Sequence, residues 1–576
     1  MPDAADARLN QFLDDAFHEE LTLMPEVATM WGRPEGKARW GDQSDAGREA
    51  EFRLAERLLG ELERGFPLDG LSPEGRLSHR LFAERCRTRL ALEPHRWLLY
   101  PVTHMLGPHS LLPMTLVTAH QIATPADAEA YVARLAGLGP AIDQLLSAVE
   151  ARRARGIAAP GLTYPKMIAA ARALVTGQPF GPDGTSPLLA DFTAKLDRLA
   201  LPDERRAALV AAATAALAQH MGPAYRRFIA AMERLAAEVE PAYGLCRFPG
   251  GRDAYAALLR RETTLELSAE AVSALGRREL ARIHEEMHAI MTRVGFAGDL
   301  AEFIAWMREA PELHLENDAA GKADYLARAQ ATVDAMQRRL PDIVGRLPKA
   351  ALEVTPMAGF NQGSATAAFY TQPASDGSRP GYLEVNLIDV AQNPIYQIEA
   401  LMHHEGVPGH HLQIAIAMEL DGLPLFRRLD ICNAHAEGWA LYAEKFPKEL
   451  GFYQDPYADF GRLSMEAWRA ARLVVDPSIH HEGWSRDEAI RFMTENTAES
   501  PLNIAIEVDR YFVFPGQATS YAVGLVEILR LRAEAEAKLG RRFDRRQFHD
   551  TLLGCGSVPL PILRELVEGW VAERAA

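Results

Sequence analysis

The run His403-His404-Glu405-Gly406-Val407-Pro408-Gly409-His410-His411 gathers four imidazoles and one carboxylate into nine residues. Imidazole nitrogen and carboxylate oxygen are zinc ligands, and a catalytic Zn2+ takes three protein ligands and keeps a fourth position for water. A Glu directly after a ligand His is placed to take that water's proton. The run therefore predicts a zinc-dependent hydrolase with Glu405 as general base, carried on a helix. Asn393 and Pro394 suit the N-cap and first position of that helix, and Ile395, Ile398 and Met402 line one of its faces.

The spacing dictates how that helix must end. Residues four apart share a helix face, so the usual zincin motif reads HExxH, but here the fourth residue after His404 is Pro408. His411 would stand about 10 Å along an ideal helix from His404, too far for two ligands that each lie about 2.0 Å from one ion. His410 would lie about 240° round the helix. A two-residue bulge at Pro408-Gly409, where Pro removes a donor and Gly frees the backbone, returns His410 to the i+4 place. His404 and His410 are the predicted ligands, with His411 the alternative to His410.

The third ligand should be an acid on a following helix. Ala436-Glu437-Gly438-Trp439-Ala440 offers Glu437 at the start of a helix expected over residues 434–446. Gly438 would let another backbone approach. Glu444 competes for the ligand role, and His435 is a candidate partner for Glu437. Residues 510–521 supply the rest. Tyr521 is the predicted catalytic donor to an oxyanion, and Arg510 can grip a substrate carboxylate. Tyr511, Gln517, His411 and His480 complete the expected substrate-binding set. His480-His481-Glu482-Gly483 repeats the start of the main motif, but Ser485 and Glu488 behind it form a capping box. Glu482 then precedes a helix, residues 479–484 read as a loop, and no second zinc site is expected.

Apolar residues at helical spacing predict helices at residues 129–155, 204–240, 253–258, 268–294, 300–309 and 322–339. Others follow at 411–420, 458–474, 485–494, 515–539, 546–553 and 561–573. Residues 367–371 and 382–387 are aromatic or β-branched and read as strands around a turn at 375–381; the second is expected to pair with an extended peptide. Phe248-Pro249-Gly250-Gly251 marks a boundary between a helical N-terminal lobe, 1–245, and a zinc-binding lobe, 246–576. The fold class is mainly α: a large helical zincin-like body with a substrate cleft and a small β element near 350–390.

A net charge of −16 over 576 residues argues against nucleic acid and anionic membranes as partners. The four cysteines are scattered with no CxxC spacing, so neither a disulfide framework nor a zinc knuckle is expected. The chain opens Met-Pro-Asp-Ala-Ala-Asp, without a basic segment or an apolar run. A cytoplasmic location is the resulting expectation, with a signal already removed as the alternative.

His404-Glu405-Gly406-Val407-Pro408-Gly409-His410-His411-Leu412-Gln413 resembles the HExxPGHHxQ signature of the bacterial domain-of-unknown-function family 885. Segments at 25–32, 376–381, 437–440, 476–484 and 515–521 also look like that family, so the resemblance covers nearly the whole chain. It implies a mainly helical, metallopeptidase-like fold. Gly409 before His410 is similar to thimet-type oligopeptidases, and Glu437-Gly438-Trp439-Ala440 is similar to the segment that carries the third ligand in aminopeptidase N-type enzymes. The departure is two extra residues between Glu405 and Gly409. Together these readings predict a gluzincin-type zinc peptidase acting on small peptides, as a carboxypeptidase or oligopeptidase. The alternatives are a metal-dependent amidase or esterase on a non-peptide substrate, or a degenerate zincin that binds peptides without cleaving them.

Overall fold

The computed structural model describes residues 4–105, 107–357, 367–374 and 379–575, which divide into two units, Met1–Tyr243 and Gly244–Ala576. Among its described residues the first has helices and one isolated bridge, Gln178 to Thr185. Its core lies where the helix Pro125–Arg153 places Tyr131, Leu135, Leu138, Ile142 and Leu145 against Tyr225, Phe228, Met232 and Leu235 of the helix Gly222–Glu238. That i, i+3, i+4 spacing builds one apolar stripe on each helix. Thr124 and Asp127 close a capping box on the first of them, with Pro125 at its first position. The single helix expected over 204–240 is broken by a π turn at Leu217–Met221. The cause is Pro223, whose ring and missing N–H cannot join the preceding turn.

The second unit is mainly helical with one small sheet. Strands β1 (Leu352–Pro356), β2 (Ala368–Thr371) and β3 (Gly381–Val385) lie in the order β1-β3-β2. β3 pairs parallel with β1 and antiparallel with β2. The expectation that residues 382–387 bind an extended peptide is therefore corrected. β3 is the central strand and both of its ladder edges are used. β1 has no counterpart in the sequence reading, because five residues ending in Pro356 give little alternation to detect. Residues 375–378 of the expected turn lie outside the described residues.

Six helices position the site: α1 (Ile395–Glu405), α2 (His410–Met418), α3 (Asn433–Lys445), α4 (Pro456–Pro477), α5 (Pro501–Val513) and α6 (Ser520–Leu539). α4 is buried along almost its whole length. Small residues let its neighbours sit backbone to backbone. A Cβ on Gly461 would fall 1.8 Å from the Tyr396 carbonyl oxygen of α1, and one on Gly276, in the helix Ala269–Arg293, would fall 2.7 Å from Leu473 Cβ. Asn393 does not cap α1; its side-chain amide donates to the Asn386 carbonyl (3.1 Å), and Pro394 takes the N-cap place. The helix expected over 515–539 begins only at Ser520, after Gly516 at φ +82° and a 3-10 turn, Gln517–Thr519. α5 ahead of it has no counterpart among the expected helices; Ser500 caps it, its hydroxyl accepting from Asn503 N–H (3.2 Å), with Pro501 at the first position. The supposed loop at 479–484 is instead a π turn, Ser478–Glu482, that prolongs α4. Among the described residues no single helix is long and apolar enough to cross a membrane.

Candidate metal centre

His403, His404 and Glu405 form the last turn of α1, and the helix stops at Gly406. The chain does not bulge and continue. It leaves helical geometry for four residues and starts α2 afresh at His410. The connection folds tightly back on the helix it has left: the His411 N–H donates to the Gly406 carbonyl (3.0 Å), and a Cβ on Gly409 would lie 2.0 Å from the His404 carbonyl oxygen. Only glycine tolerates that approach. The fold-back sets the His404 and His410 rings 4.8 Å apart, at 82° to one another.

α3 brings the third group and is locked to the same turn. Trp439, fully buried, donates its indole N–H to the Pro408 carbonyl (2.9 Å). That bond fixes Glu437, two residues earlier, against the two imidazoles. Glu437 Oε2 stands 3.6 Å from His404 Nε2 and 3.4 Å from His410 Nε2. It is buried and accepts no hydrogen bond. These separations are long for hydrogen bonds, but tetrahedral ligands at about 2.0–2.1 Å from one ion lie about 3.3 Å apart. Among the described residues, His404, His410 and Glu437 form a group that can hold a metal ion, with its ligand atoms all within 4.8 Å.

The electrostatics agree with a cation site. Burial alone would raise the Glu437 carboxyl, but the two imidazoles hold it well below its ordinary value. Burial lowers the His404 imidazole, yet Glu437 and Glu444 outweigh it and lift the group to about 9. Two anions thus demand a positive charge between them, whether a proton or a metal. Burial raises the Glu405 carboxyl, against the pull of His404 and His410.

Glu444 is not a competing ligand. Its Oε1 lies 2.7 Å from His404 Nδ1, so Nδ1–H donates there and the Nε2 lone pair is left for an ion. His403 supports this acid indirectly. Its Nδ1 meets the Tyr453 hydroxyl (2.9 Å), which donates to the Glu444 carbonyl (2.7 Å). Glu444→Gln is expected to weaken metal binding about tenfold, at the low end of such outer contacts, because the amide oxygen still accepts Nδ1–H but carries no charge. Competition against a chelator of known affinity measures this, and an unchanged affinity would show that Glu444 does not tune His404.

Tyr521 reaches the site through a second close approach. Gly438 on α3 and Gly524 on α6 meet so tightly that a Cβ on Gly438 would fall 2.5 Å from the Gly524 carbonyl carbon. Tyr521, one turn before Gly524, is thereby laid almost parallel to His404, with ring centroids 6.4 Å apart. The Arg510 guanidinium interacts with the Tyr521 phenol.

Other expected site residues are placed differently. His411 Nε2 donates to the Ala350 carbonyl (3.2 Å) and Nδ1 accepts from the Tyr370 hydroxyl (3.1 Å). Burial lowers it to about 4, and its two ring nitrogens tie α2 to the sheet. His480 is fully buried. Its Nε2 donates to the Tyr511 carbonyl (2.8 Å) and its Nδ1 accepts from Leu245 N–H (3.1 Å), so neither nitrogen is left for a ligand. His435 accepts from Val558 N–H (3.1 Å) and does not serve Glu437. The Tyr511 hydroxyl accepts from Arg472 Nε (2.9 Å). Arg510 bonds Glu507 (3.3 Å) and the Gln517 amide oxygen, so Arg510 and Gln517 hold one another. In the repeat at His480, His481 pairs with Glu270 (2.9 Å), and Ser485 and Glu488 form the expected capping box.

The chain belongs to the family described as "Bacterial protein of unknown function (DUF885)", whose sequence model matches residues 25–567. It is similar to the structure of a "putative lipoprotein from Colwellia psychrerythraea", at 28% identity and a TM-score of 0.91 over 99% of each chain. A "putative lipoprotein of unknown function from Shewanella oneidensis" shares the fold at 17% identity and a TM-score of 0.74, over 97% of this chain and 99% of that one. No curated protein matches the chain. The two lipoprotein names overturn the expectation of a cytoplasmic location. That expectation rested on a missing apolar leader, and a missing stretch of sequence specifies no compartment.

Proposed function

We propose that this chain is a zinc peptidase that cleaves small peptides, with Glu405 as general base and Tyr521 as the donor to the carbonyl oxygen under attack. The observation that carries the reading is the spacing of His404 Nε2, His410 Nε2 and Glu437 Oε2, with Glu405 adjoining His404 yet outside the group. A donor set of two imidazoles and one carboxylate suits Zn2+. Zinc bound there supplies a Lewis acid that polarises a carbonyl and acidifies water. The chain's own residues do the rest. Glu405 accepts a proton from the nucleophile and returns it to the leaving amine. Tyr521 donates its O–H where negative charge develops on the carbonyl oxygen. Glu444 keeps His404 in the tautomer that faces the ion. The lipoprotein names of the two full-length matches support an envelope setting for this activity.

The test is hydrolysis of a short-peptide library by purified protein whose metal content has been measured. Chelation is expected to abolish cleavage, and stoichiometric Zn2+ to restore it. Cleavage that survives complete metal removal would overturn the reading. Cleavage of non-peptide amides or esters alone would replace it with the amidase alternative. Peptide binding without turnover in the zinc-loaded protein would replace it with a degenerate zincin.

A further inference from the structure

One turn of α4 carries three buried N–H donors that meet no acceptor: Trp468 Nε1, Arg469 Nε and Arg472 Nη1. Buried donors are nearly always satisfied, and a guanidinium N–H without a partner is costly to bury. Three of them within five residues is a local concentration, not a scattered defect. The two guanidiniums flank the same pair of rings. Arg469 lies 4.7 Å and Arg472 4.3 Å from the Trp468 ring, and they lie 6.0 Å and 4.7 Å from that of Tyr521. The cluster therefore adjoins the phenol placed next to His404.

Acids surround the cluster but leave those three donors unmet. Arg472 and Arg510 share one carboxylate, Glu507 (2.9 and 3.3 Å). Arg469 approaches Glu444 only at 3.6 Å, and that oxygen already serves His404. Glu499 interacts with both arginines but receives its hydrogen bond from Gln397 (2.7 Å). The three unmet donors suit an anion with two oxygens. Arg472 and His404 lie 4.7 Å and 6.4 Å from the Tyr521 ring, so a group bound here stands within about three to four residues of extended chain, at about 3.3 Å per residue, from a carbonyl at the metal group.

We propose that the Trp468–Arg469–Arg472 turn binds a carboxylate of the substrate, supplied either by the peptide's C-terminus or by an acidic side chain near the cleaved bond. The proposal rests on the peptidase reading for its substrate class, and it moves the anion-binding role from Arg510 to Arg472. A C-terminal carboxylate makes the enzyme a carboxypeptidase that removes a short C-terminal piece; a side-chain carboxylate makes it selective for acidic peptides.

Calorimetry on zinc-loaded Glu405→Gln protein separates the two. The probes are tetra-alanine as free acid, tetra-alanine amide, and amidated tetrapeptides with Glu or Gln at one position. The free acid, or the Glu amide, is expected to bind about tenfold or more tightly than its neutral counterpart. That preference should fall to within about twofold in Arg472→Met and be partly regained in Arg472→Lys. Where Arg472→Met does not fold, the double variant R472M/E507Q, which removes the stranded acid as well, and Arg469→Met carry the test. Equal binding of acid and neutral peptides, or a preference that survives loss of both arginines, overturns the proposal. An arginine-dependent preference with no cleavage by the native chain would sink the peptidase reading alone. Cleavage with no such preference would sink this proposal alone.

Discussion

Glu405→Gln is expected to leave the bound metal unchanged and to lower turnover by about 10²- to 10⁴-fold, the usual contribution of a positioned general base. Glutamine matches glutamate in size and still hydrogen-bonds, but its amide cannot accept the proton. Metal retention follows from placement. The ligand group comprises His404, His410 and Glu437 and does not include Glu405. The substitution also leaves the His404–Glu444 bond and the Trp439–Pro408 bond untouched. Metal content by atomic spectroscopy and steady-state kinetics on one cleavable peptide read both halves of the expectation. The loss should fall on kcat, with KM little moved, because the proton transfer is made in the transition state. Hydrolysis at the native rate would place the base elsewhere. Loss of metal together with activity would make Glu405 a ligand and dismantle the geometry argued above.

The convergence of His404, His410 and Glu437 was legible because it needed only residue chemistry and one constraint, that two imidazoles six apart cannot meet on an unbroken helix. The form of the break was not legible. Pro408-Gly409 announces an interruption but does not distinguish a bulge from two separate helices. That depends on Gly409 pressing against the carbonyls of α1 and on Trp439 catching Pro408 from thirty-one residues away. Glu444 shows the same limit. On α3 alone it is an acid two turns beyond Glu437, and only the packing of α3 on α1 turns it toward Nδ1 rather than the ion. The hydrogen bonds of His411 and His480 were illegible for a different reason. An imidazole offers one donor and one acceptor, which suits a buried backbone junction as well as a ligand site. Sequence does not reveal that Ala350, Leu245 and Tyr511 present the matching groups. The three unpartnered donors on α4 were invisible for the same cause: Trp468, Arg469 and Arg472 read as ordinary helix residues until the absence of acceptors around them is seen in three dimensions.

Gly409→Ala is expected to destroy metal binding while most of the fold persists. The added Cβ would lie 2.0 Å from the His404 carbonyl oxygen and 2.4 Å from that of His403. Both atoms are backbone, so no side chain can swing away to make room. Relief requires the turn carrying His410 to move off the turn carrying His404 by about an ångström or more, whereas ligand distances tolerate only about 0.2 Å. We expect at least a hundredfold loss of metal affinity by chelator competition and destabilisation of about 1–3 kcal/mol, the range for overpacking. Gly569 is the contrasting control. It lies exposed in the helix Leu560–Ala575 with nothing within 4 Å of its Cβ position, so alanine there should stabilise by up to about 1 kcal/mol through helix propensity alone and leave the metal untouched. Should Gly409→Ala bind metal as the native chain does, the fold-back would not be what brings His410 to His404, and the pairing of these two imidazoles would need another cause.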